Sequence, residues 1–178
     1  MHLVNDLLDM GHIAEGRFTY VFAEGNLGNT VRAEAGLFED IAKQKGVALD
    51  VSIADNLPAI RFDANRLNLA IQNLVDNAVK YTASGGRVTV ATERSGEGVR
   101  ITVQDTGIGF TPDEQSRVFE KFFRGSRAVH MSPDGSGLGL FIAKTIIEGH
   151  GGRLTFSTEE GKGARFTISL PTKPPATP

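Results

Sequence analysis

The sequence predicts an α+β fold, a mixed sheet covered by helices on one face. Three observations predict it. Strand-like alternation comes in adjacent pairs, at 88–90 with 99–103 and at 153–158 with 164–170. Three longer helical stretches separate these strands, and each ends at glycine or in a Ser-Gly-Gly break. The order of elements is mixed rather than strictly βαβ, which favours segregated layers over a doubly wound parallel sheet.

Residues 1–14 carry apolar positions at Leu3, Leu7, Leu8 and Met10 or Ile13, a helical stripe that Gly16 ends. Phe18, Tyr20 and Phe22 alternate, so 17–22 is expected as a short strand. Residues 27–45 read as one helix stopped by Gly46. Val47, Leu49, Val51 and Ile53 then alternate with small or polar residues as a strand, and Pro58 marks a turn. Asp63 is the expected N-cap of the next helix, which Ser84-Gly85-Gly86 breaks. The strands begun by Val88 and Val99 flank a turn at 95–98, and the second ends at Asp105. Residues 106–136 are rich in Gly, Pro and polar side chains, with a helical piece expected near 113–119. About 30 residues is long for a structural connection and typical of a lid or binding loop. A helix from Leu138 to Glu148, the last strand pair and a Pro-rich tail expected to be disordered complete the chain.

With 178 residues, 40% hydrophobic and 22% charged, the chain suits one globular domain with its own core. A net charge of −2 gives no electrostatic case for nucleic acid or an anionic membrane. Cysteine is absent, which removes disulfides and thiolate metal sites and fits a reducing compartment. No apolar run approaches the roughly 18–20 residues of a membrane span, and no basic-then-apolar leader opens the chain.

The segment Asn-Leu-Val-Asp-Asn-Ala-Val-Lys-Tyr at 73–81 is the most informative. At about 100° per residue, Asn73, Asn77, Lys80 and Tyr81 share one side of a helix. Leu67, Ile71, Leu74, Val75 and Ala78 form the core stripe on another. Amides ligate hard cations, an ammonium holds phosphate and a phenol stacks on a base, a set that suits a magnesium nucleotide. Asp105-Thr-Gly-Ile-Gly109 places a carboxylate at a strand end, either an acceptor for an exocyclic amine or a turn facing water. Gly135-Ser-Gly-Leu-Gly139-Leu140 opens a helix, where free N–H groups bind anions, or else forms a hinge. Leu140 stands where the dinucleotide fingerprint has its third glycine, and no Walker A loop is present. Phe119-Glu-Lys-Phe-Phe-Arg124 lies within the long loop. Its phenylalanines anchor that loop to the core, and Arg124 either reaches a terminal phosphate or is merely solvated.

These four segments, in this order, resemble the N, G1, F and G2 boxes of the sensor histidine kinase catalytic and ATP-binding domain. The similarity runs from about residue 18 to 171. It implies a Bergerat-type two-layer α/β sandwich with a long ATP lid, binding ATP with Mg2+. By resemblance, Asn73 and Asn77 are the magnesium-side amides, Lys80 touches phosphate and Tyr81 flanks ribose and base. Asp105 holds the adenine amine in a pocket shaped by Gly107 and Gly109, with Phe119 and Phe122 of the F box beside it. Arg124 approaches the γ-phosphate, and Gly135, Gly137, Leu138, Gly139 and Leu140 receive phosphates. Asn73, Asn77, Lys80 and Arg124 form the implied catalytic set. Related hydrolases (gyrase, MutL proteins, large heat-shock chaperones) usually carry glutamate at the position of Asn73. An amide cannot act as general base, so the resemblance points to phosphotransfer rather than hydrolysis.

The resemblance further implies residues 1–15 as the remnant of a dimerisation helix, 16–171 as the catalytic domain and 172–178 as a tail. None of the four histidines, at 2, 12, 130 and 150, has the context of a phosphoacceptor, and all are expected as solvated surface residues. The implied partners are a dimerisation and phosphoacceptor domain and a response regulator. The chain is implied to be cytoplasmic and its parent a homodimer, with inner-membrane anchoring of the parent and the oligomeric state of this chain left open. A non-catalytic nucleotide-binding module and an anti-sigma serine kinase are the alternatives.

Overall fold

The computed structural model describes residues 11, 19–96 and 98–174. The expected helix at 1–14 falls outside these, apart from residue 11, as do Phe18 and the last four residues of the tail. Five strands form the main sheet: β2 (Ala48–Ile53), β4 (Arg87–Ser95), β5 (Gly98–Asp105), β7 (Gly163–Leu170) and β6 (Arg153–Glu159), in that spatial order. β2 runs parallel to β4, and every other pair is antiparallel. A separate two-stranded ribbon joins β1 (Ala23–Gly25) to β3 (Ile60–Phe62).

Register explains the layers. Val90, Val103, Phe166 and Phe156 lie in one row across the sheet, and Thr92, Ile101, Ile168 and Leu154 in the next. Because side chains alternate along a strand, these rows point to one face. Three helices cover it: α1 (Leu27–Gly36), α3 (Ala64–Tyr81) and α6 (Gly139–Gly149), with α3 packed between the other two. The opposite face carries polar pairs, such as Arg100 with Glu93 at 2.6 Å and Arg165 with Gln104 at 2.6 Å. The expected stripe of α3 is buried in full: Leu67, Ile71, Leu74, Val75 and Ala78 are all core residues. Asp63 caps that helix, its Oδ1 accepting from Arg66 N–H at 3.0 Å. Among the described residues, no helix is long and apolar enough to cross a membrane.

Four expectations need correction. The single helix at 27–45 is two, α1 and α2 (Glu39–Lys45), separated at Leu37–Phe38. Gly36 ends the first, and Glu39 and Asp40 favour a new N-terminus beside its positive dipole end. The alternation of Tyr20 and Phe22 makes no strand, and β1 starts at Ala23. It puts both rings on the same side instead, stacked with centroids 5.6 Å apart. The helical piece near 113–119 is only α4 (Pro112–Gln115), closed by a Thr111–Glu114 capping box, and a second lid helix follows, α5 (Ser126–Met131).

The fourth concerns His150, which is not a solvated surface residue but 2% exposed. It lies at the C-cap of α6, edge-on to the rings of Tyr20 and Phe22. Its Nδ1 donates to Ile146 O at 2.7 Å, and its Nε2 accepts the N–H of Asp63 at 3.1 Å. A glycine-rich flank suggested exposure; the incoming chain at 20–22 covers it.

Candidate nucleotide site

One cavity of about 760 Å³ opens between α3, the G1 segment, the lid and the start of α6. That volume lies within the usual range for ligand pockets. Each wall follows from a local rule. The face of α3 opposite its core stripe supplies Asn73, Asn77, Lys80 and Tyr81. Asp105 pairs with Val88 at the edge of the inward row, so its side chain points beneath the helices rather than to solvent.

Asp105 is 8% exposed. Its Oδ1 accepts from Gly107 N–H at 2.8 Å and Ala164 N–H at 3.2 Å, which fixes the carboxylate plane. Burial pushes its pKa up, and those two N–H groups oppose the shift. Gly109 lines the cavity at φ +59, and a Cβ there would run into the Glu159 carbonyl, so only glycine fits. Gly107 stands behind the wall, against the Tyr81 carbonyl.

At the other end, Gly135, Gly137, Gly139 and Leu140 line the cavity where α6 begins. Leu138 at the N-cap makes no side-chain cap, so the first turn presents N–H groups of the kind that bind anions. Asn73 faces this loop. Its Nδ2 is buried without a partner, and a Cβ at Gly139 would sit 2.7 Å from its Oδ1. Glycine therefore keeps open the space beside an unsatisfied amide, as a site for an oxygen-rich ligand or a hard cation requires. Among the described residues, no cluster of three or more His, Cys, Asp or Glu side chains could hold a metal by itself. A cation here would share amide and phosphate oxygens.

The lid carries two arginines into the cavity, Arg124 and Arg127. Arg124 is not merely solvated: it donates to Pro133 O at 2.7 Å and to Ser132 O, and it lies against Gly135. Phe119 packs edge-on to Phe156 at 5.6 Å, anchoring the lid to the sheet as expected. Phe122 is 61% exposed and Leu138 is a core residue; neither they nor Phe119 line the cavity. Phe122 holds a left-handed φ of +63, tied by its N–H to Gly137 O at 3.0 Å.

Sequence reasoning missed two side chains. Lys45 donates to Val79 O at 2.9 Å and to Lys80 O, capping the C-terminus of α3 just where Lys80 and Tyr81 leave it. Its position at the end of α2 was the only hint. Arg127 carried no signal, because nothing around it in sequence repeats a known box.

A profile described as histidine kinase-, DNA gyrase B- and HSP90-like ATPase matches residues 62–174, which contain α3, the G1 segment, the lid and α6. The chain belongs to this ATPase family. Its relatives place it on the histidine kinase branch. The alginate biosynthesis sensor protein KinB of Pseudomonas aeruginosa is 32% identical over 169 residues, 95% of this chain and 28% of KinB. Sensor histidine kinase RppB of Synechocystis is 45% identical over 107 residues, 60% of this chain and 24% of RppB. Full-length ShkA, crystallised in complex with AMPPNP, superposes with a TM-score of 0.83 at 31% identity, covering 99% of this chain and 36% of ShkA. The nucleotide-free catalytic domain of histidine kinase ThkA gives 0.75 at 26%, covering 86% of this chain and 99% of that domain. The chain thus spans about a third or less of the full-length relatives and matches their histidine kinase ATP-binding domain.

Proposed function

We propose that this ATPase-family domain holds Mg-ATP as a phosphate donor. The γ-phosphate passes to a histidine on a dimerisation domain outside the chain, for relay to a response regulator. The observation that carries this is the composition of the wall at Asn73. Asn73 lines the cavity beside Gly139 with its Nδ2 unpaired, and the resemblance puts it where hydrolases of the family usually carry glutamate; an amide cannot take a proton from water. Nucleotide bound there waits for another nucleophile.

The chain's own residues position and neutralise, which is most of what phosphoryl transfer demands. Asp105 accepts the adenine amine, Tyr81 flanks base and ribose, and Lys80 and the first-turn N–H groups of α6 meet the phosphates. Arg124 approaches from the lid. Asn73 and Asn77 would hold Mg2+, which would supply charge neutralisation at the phosphates. No general base is assigned within the chain. The parent acts as a homodimer in this proposal.

The test mixes the chain with labelled ATP, magnesium and a separate dimerisation-helix fragment bearing a histidine. Acid-labile label on that histidine is expected, with only slow phosphate release from the chain alone. Label on a partner serine would favour the anti-sigma kinase, and binding without transfer a non-catalytic module. Brisk phosphate release that disappears in Asn73→Ala would overturn the phosphotransfer assignment.

A further inference from the structure

The two lid arginines line the cavity with different partners. Arg124 lies against Gly135, at the phosphate end, with Nη1 and Nη2 given to the carbonyls of Pro133 and Ser132. Arg127 is tied to a different part of the structure. Its Nη1 is 3.4 Å from Glu160 Oε1, in the turn between β6 and β7. That turn is fastened to the G1 segment: Gly161 N–H donates to Ile108 O at 2.8 Å, and Ala164 N–H donates to Asp105 itself. Arg127 is therefore tethered to the same piece of structure that orients the Asp105 carboxylate. Its remaining terminal nitrogen, Nη2, is buried and has no hydrogen-bond partner, although the side chain lines the cavity.

A buried guanidinium N–H without an acceptor is costly and is expected to gain one from whatever fills the space. Asp105 selects a donor, the exocyclic amine of adenine. The ring nitrogens on either side of that amine are acceptors, so a donor beside Asp105 completes the pattern of that edge. Guanine presents an acceptor oxygen in place of the amine and mismatches the carboxylate.

We infer that Arg127 is a nucleobase-contacting residue: Glu160 holds its guanidinium through Nη1, and Nη2 donates to a ring nitrogen flanking the adenine amine. The two lid arginines then divide the ligand, Arg124 at the phosphates and Arg127 at the base. The start of α5 is braced: Gly125 stands against the Glu114 carboxylate, which also accepts from Thr111 N–H at 3.0 Å. The inference rests on the nucleotide assignment of the cavity given above.

The experiment is calorimetric binding of ATP, ADP, 7-deaza-ATP and 1-deaza-ATP to the wild-type chain, Arg127→Ala and Glu160→Gln, with melting curves to confirm folding. Arg127→Ala is expected to weaken ATP and ADP by the same factor, about tenfold, the worth of one charge-assisted hydrogen bond. The penalty should vanish with one of the two deaza analogues, an outcome that a role in ordering the lid would not produce. Glu160→Gln, which only loosens the guanidinium, should cost about threefold. A penalty that persists with both analogues, a larger loss for ATP than for ADP, or no change in Arg127→Ala overturns the inference alone. A wild-type chain that binds no Mg-ATP overturns the nucleotide assignment and the inference together.

Discussion

Asp105 shows how one side chain trades stability for a ligand contact. Its carboxylate is mostly buried at the end of an inward-facing row, where partial desolvation penalises the charge. Burial raises its folded pKa above the ordinary value, so the folded chain binds this proton more readily than the unfolded chain does. Its contribution to stability is therefore present at low pH and is lost as pH rises through the folded pKa. Ligand binding has the opposite sign, because only the ionised form accepts from an amine at full strength. Asp105→Asn should raise the melting temperature of the ligand-free chain at neutral pH while weakening ATP by about 2 kcal/mol. In the wild type, ATP affinity should begin to fall on acidification above the usual carboxylate range, and in Asp105→Asn this dependence should be absent. Calorimetry and thermal melts from pH 7 downward measure both.

Elements matter through what their ends leave open. The start of α6 lacks a side-chain cap, although Ser136 Oγ accepts from Leu138 N–H at 3.2 Å just before it. Gly139 is the most informative residue there, because its missing Cβ is the space beside the Asn73 amide. Gly139→Ala lies in a helical position that alanine tolerates well, so folding should be preserved. Nucleotide affinity should nevertheless drop by more than about tenfold, since the methyl group displaces the Asn73 amide, which the proposed function sets against the phosphates. A binding titration beside a melting curve separates the two effects. The break between α1 and α2 also shapes the cavity: Leu37, Phe38 and Ile41 line it just past the stop at Gly36.

At the scale of the molecule, His150 joins three parts of the chain. It stands at the end of α6, accepts from the cap of α3 and is covered by Tyr20 and Phe22 of the segment leading into the domain. Asp63 extends the network, its Oδ2 accepting from Val21 N–H at 2.7 Å. Tyr20 Oη donates to Thr145 O at 3.3 Å, and burial pushes the Tyr20 pKa up to about 12, so the hydroxyl keeps its proton. His150 must stay neutral, since its Nε2 is an acceptor here; burial pushes its pKa down, opposed by Ile146 and Asp63. With the folded pKa below the unfolded one, the unfolded chain binds more protons on acidification. Stability from this residue is complete above about pH 6.5, the ordinary histidine value, and declines as pH falls toward the folded pKa. Melting temperature should drop between pH 7 and 5.5 in the wild type. In His150→Gln, which keeps an acceptor for the Asp63 N–H but does not titrate, that drop should be much reduced.

The sequence by itself determined the layers and one wall of the candidate cavity. Alternation with period two and apolar spacing near 3.6 depend on local geometry alone, so the inward rows of the sheet and the buried stripe of α3 were legible. The same periodicity put Asn73, Asn77, Lys80 and Tyr81 on one face, and all four line the cavity. Only the tertiary structure decided which distant residues line the cavity with them, as Arg127 does, or brace the elements around it. Lys45, Arg127 and His150 act on groups 34, 33 and 87 positions away, at Val79, Glu160 and Asp63. No window of sequence contains both members of such a pair, and each residue read alone looks like a solvated surface side chain. Packing brings the partners together and removes the water, and the loss of water gives these polar groups their roles.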